Sequence, residues 1–329
     1  MKTAFKRFML ATAVAGMLTL CACSAGGGDG GGGVAGIGDV DGALGVGSRH
    51  RNPSAISPGF GNRVTGIASK GPLSGSSICA YAIAQGVKAG QFGPCATSNA
   101  SGGFSIDLET YIGPVLLEAT GGSYGDEASG ACLVLSVPLH GILLNATGGT
   151  ASVAVTALTE LAYRYALAEA GGLTAPNIQV AFASVQRHFG VLDIAHTQPV
   201  DALKVPTGET YQQKAYALAL ATVSQVAQSR PAGASLAVAL DTMQACLAAP
   251  GLACGAEGAG IDVAIAAAVG TFLNQHPSLP GFGLWRWRHA CWRSDPCRHE
   301  RFPGGRPFTG TSDFAFGMFS PQAENSRFN

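Results

Sequence analysis

Val64 to Ile83 reads "VTGIASKGPLSGSSICAYAI", and this stretch decides the fold. Two short runs, Val64-Thr65-Gly66-Ile67-Ala68 and Ile78-Cys79-Ala80-Tyr81-Ala82-Ile83, flank a segment holding Gly71-Pro72 and Gly75. Alternate side chains of an extended chain point to opposite faces, so runs this short with turn formers between them predict strands and not a helix. The same texture returns in "GGFSIDLET" (102–110), "PVLLEAT" (114–120) and "ACLVLSVPL" (131–139). Short apolar or alternating runs separated by Gly, Pro, Ser and Asn predict antiparallel strands in a small sandwich.

From about residue 152 the period becomes helical. Thr156 can cap "ALTELAYRYALAEA", with Leu158, Leu161, Ala162 and Tyr165 on one face and Gly171-Gly172 as the stop. Ile178, Phe182, Val185 and Phe189 line a second helix that Gly190 ends. Tyr211, Ala215, Leu218 and Thr222 form the stripe of a third, closed by Pro231. "SLAVALDTMQACLAAP" and "IDVAIAAAVGTFLNQH" add two more. Alanine-rich faces let helices approach closely, so the five predict a compact bundle. The fold class expected is therefore α+β, an antiparallel β-sandwich followed by an α-helical bundle.

The turn chemistry of the first half carries a resemblance. Gly71-Pro72-Leu73 with Gly75-Ser76, then the hairpin from Thr97 to Phe104, then "PVLLEATGG" resemble the prealbumin-like, carboxypeptidase-regulatory type of β-sandwich. The likeness covers roughly residues 64 to 140, and the Thr97–Phe104 hairpin is one residue longer than that family's pattern. It implies an accessory, adhesive or stalk module, and carries fold more than activity. With "VTALTELAYR" next in the chain, the arrangement resembles a group of proteobacterial lipoproteins of unassigned function.

The N-terminus supplies an address. Lys2, Lys6 and Arg7 precede the uncharged run Phe8–Leu20, a positive region and then an apolar one too short to span a bilayer. Leu20-Cys21-Ala22-Cys23-Ser24 resembles a bacterial lipobox, with an aliphatic residue three before and a small residue just before Cys23. Cys21 fits poorly, since bulky Leu20 would stand at the cleavage point. The resemblance implies lipidation of Cys23, a membrane partner through that anchor and, from Ser24, sorting to the outer membrane. Each buried methylene of an acyl chain adds ~0.8 kcal/mol, so several chains hold firmly. The Gly-rich tract beyond Ser24 reads as a tether, and residues 24–63 taken as random coil would span roughly 35 Å. Its glycines lack the strand, helix and Lys-Ser/Thr of a phosphate loop. The organisation expected is a signal peptide (1–22), a Gly-rich tether (23–63), a β-sandwich (64–150), a helical bundle (151–280) and a tail (281–329).

Charge narrows the partners. Residues 23–280 carry 10 basic against 16 acidic side chains, and a net negative body is a poor nucleic-acid binder. The tail differs: all three tryptophans and seven arginines lie in it. It reads as an interfacial or polyanion-binding segment, as a loose end, or as a stretch from a shifted reading frame.

Nine cysteines in an exported chain point to disulfides. Proximity favours Cys79–Cys95, worth roughly 3 kcal/mol on chain-entropy grounds. It also favours Cys246–Cys254 and, in the tail, Cys291–Cys297, leaving Cys132 over. His289, Cys291, Cys297 and His299 are the right ligand types for zinc. Their spacing matches no standard finger, however, so neither a metal nor another cofactor is expected. Asp126-Glu127 reads as a solvated turn rather than a calcium site.

One motif invites catalysis. Gly121-Gly122-Ser123-Tyr124-Gly125 fits G-x-S-x-G, and Asp193 and His196 lie downstream in triad order. A nucleophile elbow needs a strand, a strained turn and then a helix, with backbone N–H groups set for the oxyanion. Here the motif runs on into "DEASGACLVLSV", turn formers and another strand, with Asp126 and Glu127 where negative charge opposes an oxyanion. The expectation is a lipid-anchored surface or periplasmic protein with an adhesive or scaffold role, an envelope or surface protein as partner, and no catalysis. The alternatives are a serine hydrolase using Ser123 and a protein holding a small apolar ligand between its helices.

Overall fold

The computed structural model describes residues 62–229, 235–249, 260–279 and 282. Among these the chain is mixed α+β. Its strands are β1 (Arg63–Ser69), β2 (Ser77–Ala84), β3 (Val87–Thr97), β4 (Gly103–Asp107), β5 (Gly113–Thr120), β6 (Ser123–Gly125), β7 (Cys132–Val134), β8 (Leu139–Ala146) and β9 (Thr150–Thr156). The helices are α1 (Ala157–Ala168), α2 (Ala175–Phe189), α3 (Tyr211–Gln228), α4 (Leu236–Ala248) and α5 (Ile261–Gln275). Cys23, the Gly-rich tract, Cys254 and the residues from 283 onward lie outside the described residues.

The strands form sandwich-like sheets. One has the order β4-β1-β9, the second β3-β2-β5-β8, and β6 and β7 make a small hairpin. The pairs β1–β4, β2–β3, β2–β5, β5–β8 and β6–β7 are antiparallel, as expected. One pair corrects the all-antiparallel reading: β9 runs parallel to β1, with Arg63 opposite Thr150 and Ser69 opposite Thr156. A tight hairpin must reverse the chain, whereas a parallel partner needs a long crossover, and the crossover here is the whole second sheet. Gly66 permits the close approach, because a Cβ there would fall 1.8 Å from the Val153 carbonyl oxygen.

The strand-rich part reaches Thr156, beyond the residue 150 boundary read from the sequence. Val153, Ala154 and Val155 are all buried, so this run lacks the alternation that marks a half-exposed strand. Thr156 then caps α1 as expected, accepting from the backbone N–H groups of Leu158 and Thr159. Gly190, left-handed at φ 65°, closes α2.

Sheets and helices share one apolar core that runs from Val64 to Phe282. Helix α1 packs on β8 and β9 as well as on α2 and α4, and α3 lies against α5. The stripe expected on α3 is corrected too: every residue from Ala215 to Val226 is buried. A helix apolar on all sides belongs in a core, and small Ala217, Ala219 and Ala221 let neighbours close in around it. Phe282 is buried edge-on to Phe272, with ring centroids 6.2 Å apart, so packing continues past the end of α5.

Cys79 and Cys95 are disulfide-bonded across β2 and β3, Cα to Cα 4.3 Å. The bond sits where the register of that pair shifts between Ile78 and Ala80. Cys246 is also in a disulfide. Cys132, which proximity left over, is itself disulfide-bonded, because nearness in sequence says nothing about contacts made by the fold.

Candidate functional site

Two polar clusters join the sheets to the helices. The first forms where β1 ends. Leu73 N–H donates to the Ala68 carbonyl at 3.0 Å, closing a turn that carries Lys70 and Gly71. Gly71 is left-handed at φ 71°, and a Cβ there would fall 2.2 Å from the Gly125 oxygen. The turn therefore lies against β6 and sends Lys70 inward. Its Nζ donates to Glu127 Oε2 at 2.8 Å and to Ser224 Oγ of α3, and lies 3.7 Å from Asp126 Oδ1. Ser224 Oγ donates to the same Glu127 oxygen at 2.5 Å. Lys70 and Glu127 are each 1% exposed and Ser224 2%. The Tyr124 ring stands 5.6 Å from Nζ, and burial with the neighbouring Asp126 and Glu127 charges pushes its hydroxyl pKa up.

The Asp126-Glu127 pair is thus no solvated turn. It belongs to the β6–β7 connection, which is folded over α3. Asp126 Oδ2 accepts from Ser129 N–H at 2.9 Å and from Ser129 Oγ at 2.7 Å. Burial alone would raise the Asp126 pKa, but the Lys70 charge and the Ser129 and Ser224 hydrogen bonds outweigh it and hold it low.

The second cluster is a chain of ionisable side chains. Glu118 of β5 and His140 of β8 are cross-strand partners. His140 Nε2 lies 3.1 Å from Glu118 Oε2, and its Nδ1 lies 2.6 Å from Glu160 Oε2 of α1. The His140 backbone N–H donates to that Glu160 oxygen at 2.9 Å, and its ring stacks 3.9 Å from Tyr163. Lys88 of β3 extends the chain outward, donating to Glu118 at 2.7 Å with its Nζ 4.3 Å from the Tyr81 ring. Arg164 extends it the other way, donating to Glu160 through Nε and to Asp241 of α4 through Nη1 at 2.5 Å. Burial raises the Glu118 pKa, yet hydrogen bonds and charge from Lys88 and His140 prevail and bring it down. The hydrogen bond to Glu118 raises that of Lys88.

The third feature is open. A groove of about 620 Å³ lies over the β4-β1-β9 sheet, lined only by uncharged residues. Ser105, Thr65 and Ser152 stand opposite one another on β4, β1 and β9, a row of three hydroxyls across its floor. Asn99 and Gln198 also border it. Gln198 Oε1 is buried without a hydrogen-bond partner.

Ser123 begins β6 and exchanges backbone hydrogen bonds with Ser74 at 2.8 and 2.9 Å. The strand after it is β7, so the strand–turn–helix of an elbow does not form at this residue. His196 pairs with Asp193 at 2.9 Å, and no hydrogen bond joins Ser123 to either. His188 bonds Asp262 at 2.7 Å, tying α2 to α5. Among the described residues no group of three or more His, Cys, Asp or Glu could hold a metal ion. His289, Cys291, Cys297 and His299 lie outside the described residues.

In comparisons with protein-family models, with curated proteins and with solved structures, nothing matches the chain.

Proposed function

We propose that the chain is an exported lipoprotein, anchored by Cys23 in the outer membrane, whose folded body serves an adhesive or scaffold role and performs no catalysis. The observation that carries this reading is oxidation: Cys79 and Cys95 are bonded, and Cys132 and Cys246 are each in a disulfide. Disulfides persist in oxidising compartments, which agrees with the lipobox-like Leu20-Cys21-Ala22-Cys23. The charges of the two polar clusters satisfy one another, binding strands to helices. The open groove over β4-β1-β9 is neutral and hydroxyl-lined, which suits contact with a neutral hydrogen-bonding surface of an envelope partner. The strand-rich half we read as a prealbumin-like sandwich carrying the helices as a bundle packed on its flank.

The test is the mature N-terminus. Purified from the membrane fraction, the protein is expected to begin at acylated Cys23, and Cys23→Ser is expected to move it into the soluble periplasmic fraction. A mature chain that starts elsewhere, carries no acyl group and is released by osmotic shock overturns the reading.

A further inference from the structure

We propose that the groove over the β4-β1-β9 sheet binds a neutral glycan, held by the hydroxyls of Ser105, Thr65 and Ser152 between the side-chain amides of Asn99 and Gln198. The inference deepens the adhesive reading, on which it rests, by naming the chemistry of the surface that the folded body grips.

Strand alternation makes this face polar and leaves it uncharged. Val64 and Ala68 of β1 turn into the core, so Thr65 and Ile67 take the outer side. Phe104 and Ile106 do the same on β4 and leave Ser105 outside. The register then sets Ser105 and Ser152 on either side of Thr65. Neighbouring strands lie about 4.8 Å apart, so the row spans about 10 Å, roughly the reach of two linked sugar rings. Ser105 and Ser152 are exposed, and among the described residues neither hydroxyl has a hydrogen-bond partner.

The two amides are fixed in opposite senses. Asn99 Oδ1 accepts from the N–H groups of Ser101 and Gly103 at 3.0 and 2.8 Å, and from Ser101 Oγ at 2.8 Å. A backbone N–H can only donate, so these contacts settle which way the amide points and leave Nδ2 as a donor. Gln198 is the reverse. Its Nε2 donates to the His196 carbonyl at 3.2 Å, and its Oε1 is buried without a partner. An unpaired buried acceptor is costly, and a ligand hydroxyl relieves that cost.

The class of ligand follows from what the groove offers. Its volume, about 620 Å³, lies within the range of small-ligand sites. No charged side chain lines it, which disfavours phosphate groups and acidic sugars. The peptide-binding modes lack their parts. The groove crosses the faces of three strands and does not follow a free edge, and neither tryptophan nor tyrosine lines it to receive a polyproline segment. Hydroxyls both donate and accept, and Ile67 and Ala96 offer apolar surface to the C–H face of a ring. That combination matches an uncharged sugar.

The test uses the full-length protein in a detergent without a sugar headgroup, screened on an array of neutral, sialylated and sulfated oligosaccharides. Saturation-transfer NMR then measures the affinity of whatever binds. Neutral glycans of two or more rings are expected to bind, with an affinity that does not change with salt, since no charge is there to screen. Ser105→Ala combined with Ser152→Ala is expected to weaken binding about tenfold, the worth of two modest hydrogen bonds. The unfolding temperature should not move, because those hydroxyls hold nothing within the described fold. Failure of every neutral oligosaccharide to bind, binding confined to charged ones, or full affinity in the double variant each overturns the proposal. The mass of the mature N-terminus is a separate reading, so failure of the anchor and failure of the groove are told apart.

Discussion

The two charge clusters do the same mechanical job in opposite surroundings. The Lys70–Glu127–Ser224 cluster sits wholly inside, where β1, the β6–β7 connection and α3 meet. The Lys88–Glu118–His140–Glu160–Arg164–Asp241 chain starts at a half-exposed lysine, passes through the interior and ends on an Asp241 side chain 69% exposed. Water is what differs. Inside, an ion without its partner keeps its full desolvation cost, whereas at the rim solvent replaces the partner almost as well. The same kind of bond should therefore matter greatly at one end of the molecule's charge system and hardly at all at the other.

The largest effect tests that directly. Glu127→Ala strands a buried lysine, and Lys70→Ala strands a buried carboxylate, so each is expected to lower stability by about 3–5 kcal/mol. The double replacement Lys70→Met with Glu127→Leu removes both charges and is expected to cost clearly less than the two single changes summed. Urea titrations of the four proteins give the comparison. Additive costs would mean that this cluster behaves like a surface pair.

The Cys79–Cys95 bond comes next. It closes a sequence separation of 16, so Cys95→Ala is expected to cost roughly 3 kcal/mol, mostly by freeing the unfolded chain. Its loss should leave both charge clusters intact, and the unfolding midpoint under non-reducing conditions measures it. In the middle of the exposed-to-buried chain, His140→Ala removes two hydrogen-bonded contacts to carboxylates. Glu160 keeps Arg164 as a partner, so roughly 1.5–3 kcal/mol is expected, below the buried pair. Amide exchange should quicken in α1, β5 and β8, the elements His140 joins.

The legibility of the sequence divides along the same line. Strand positions in the first half, the five helices, the Thr156 cap, the Gly190 stop and the Cys79–Cys95 pairing could all be read from local pattern, because each depends on residues close in the chain. Neither charge cluster could. Lys70 and Ser224 are separated by 154 positions, and nothing in "SKGPL" distinguishes a lysine turned inward from a solvated one. Asp126-Glu127 looked like an exposed turn for that reason. His140 and Glu118 carried a faint signal, an ionisable residue in each of two largely apolar strands, "PVLLEAT" and "LHGILLNA", that turn out to be neighbours. The all-round burial of α3 is half visible in its frequent alanines, but a helical period marks only the stripe Tyr211, Ala215, Leu218 and Thr222. The parallel β1–β9 pair had no local mark, since strand direction in a sheet is decided by topology.

The smallest expected effect lies at the rim and is read against pH. Asp126 and Glu118 have pKa values held below the ordinary carboxylate range by their cationic and hydrogen-bonding neighbours. Their contribution is full above the unfolded carboxylate values, near pH 4, and is lost as pH falls through the lower folded values. Lys88 is shifted the other way, upward, so its contribution is full below the usual lysine range and fades only as pH rises through its raised value. A plot of unfolding temperature against pH should be flat through neutrality and fall at both extremes. Lys88→Met is expected to erase the Lys88 contribution to the alkaline fall and soften the acid one, because Glu118 then loses a neighbour that holds it low. With the lysine side chain 39% exposed, the change at neutral pH should stay within about 1 kcal/mol and shrink further in high salt. Asp241→Ala, at the opposite rim, should fall within about 0.5 kcal/mol. A cost at either rim position approaching that of Glu127→Ala would mean that the chain of charges acts as one unit and that solvent does not divide it.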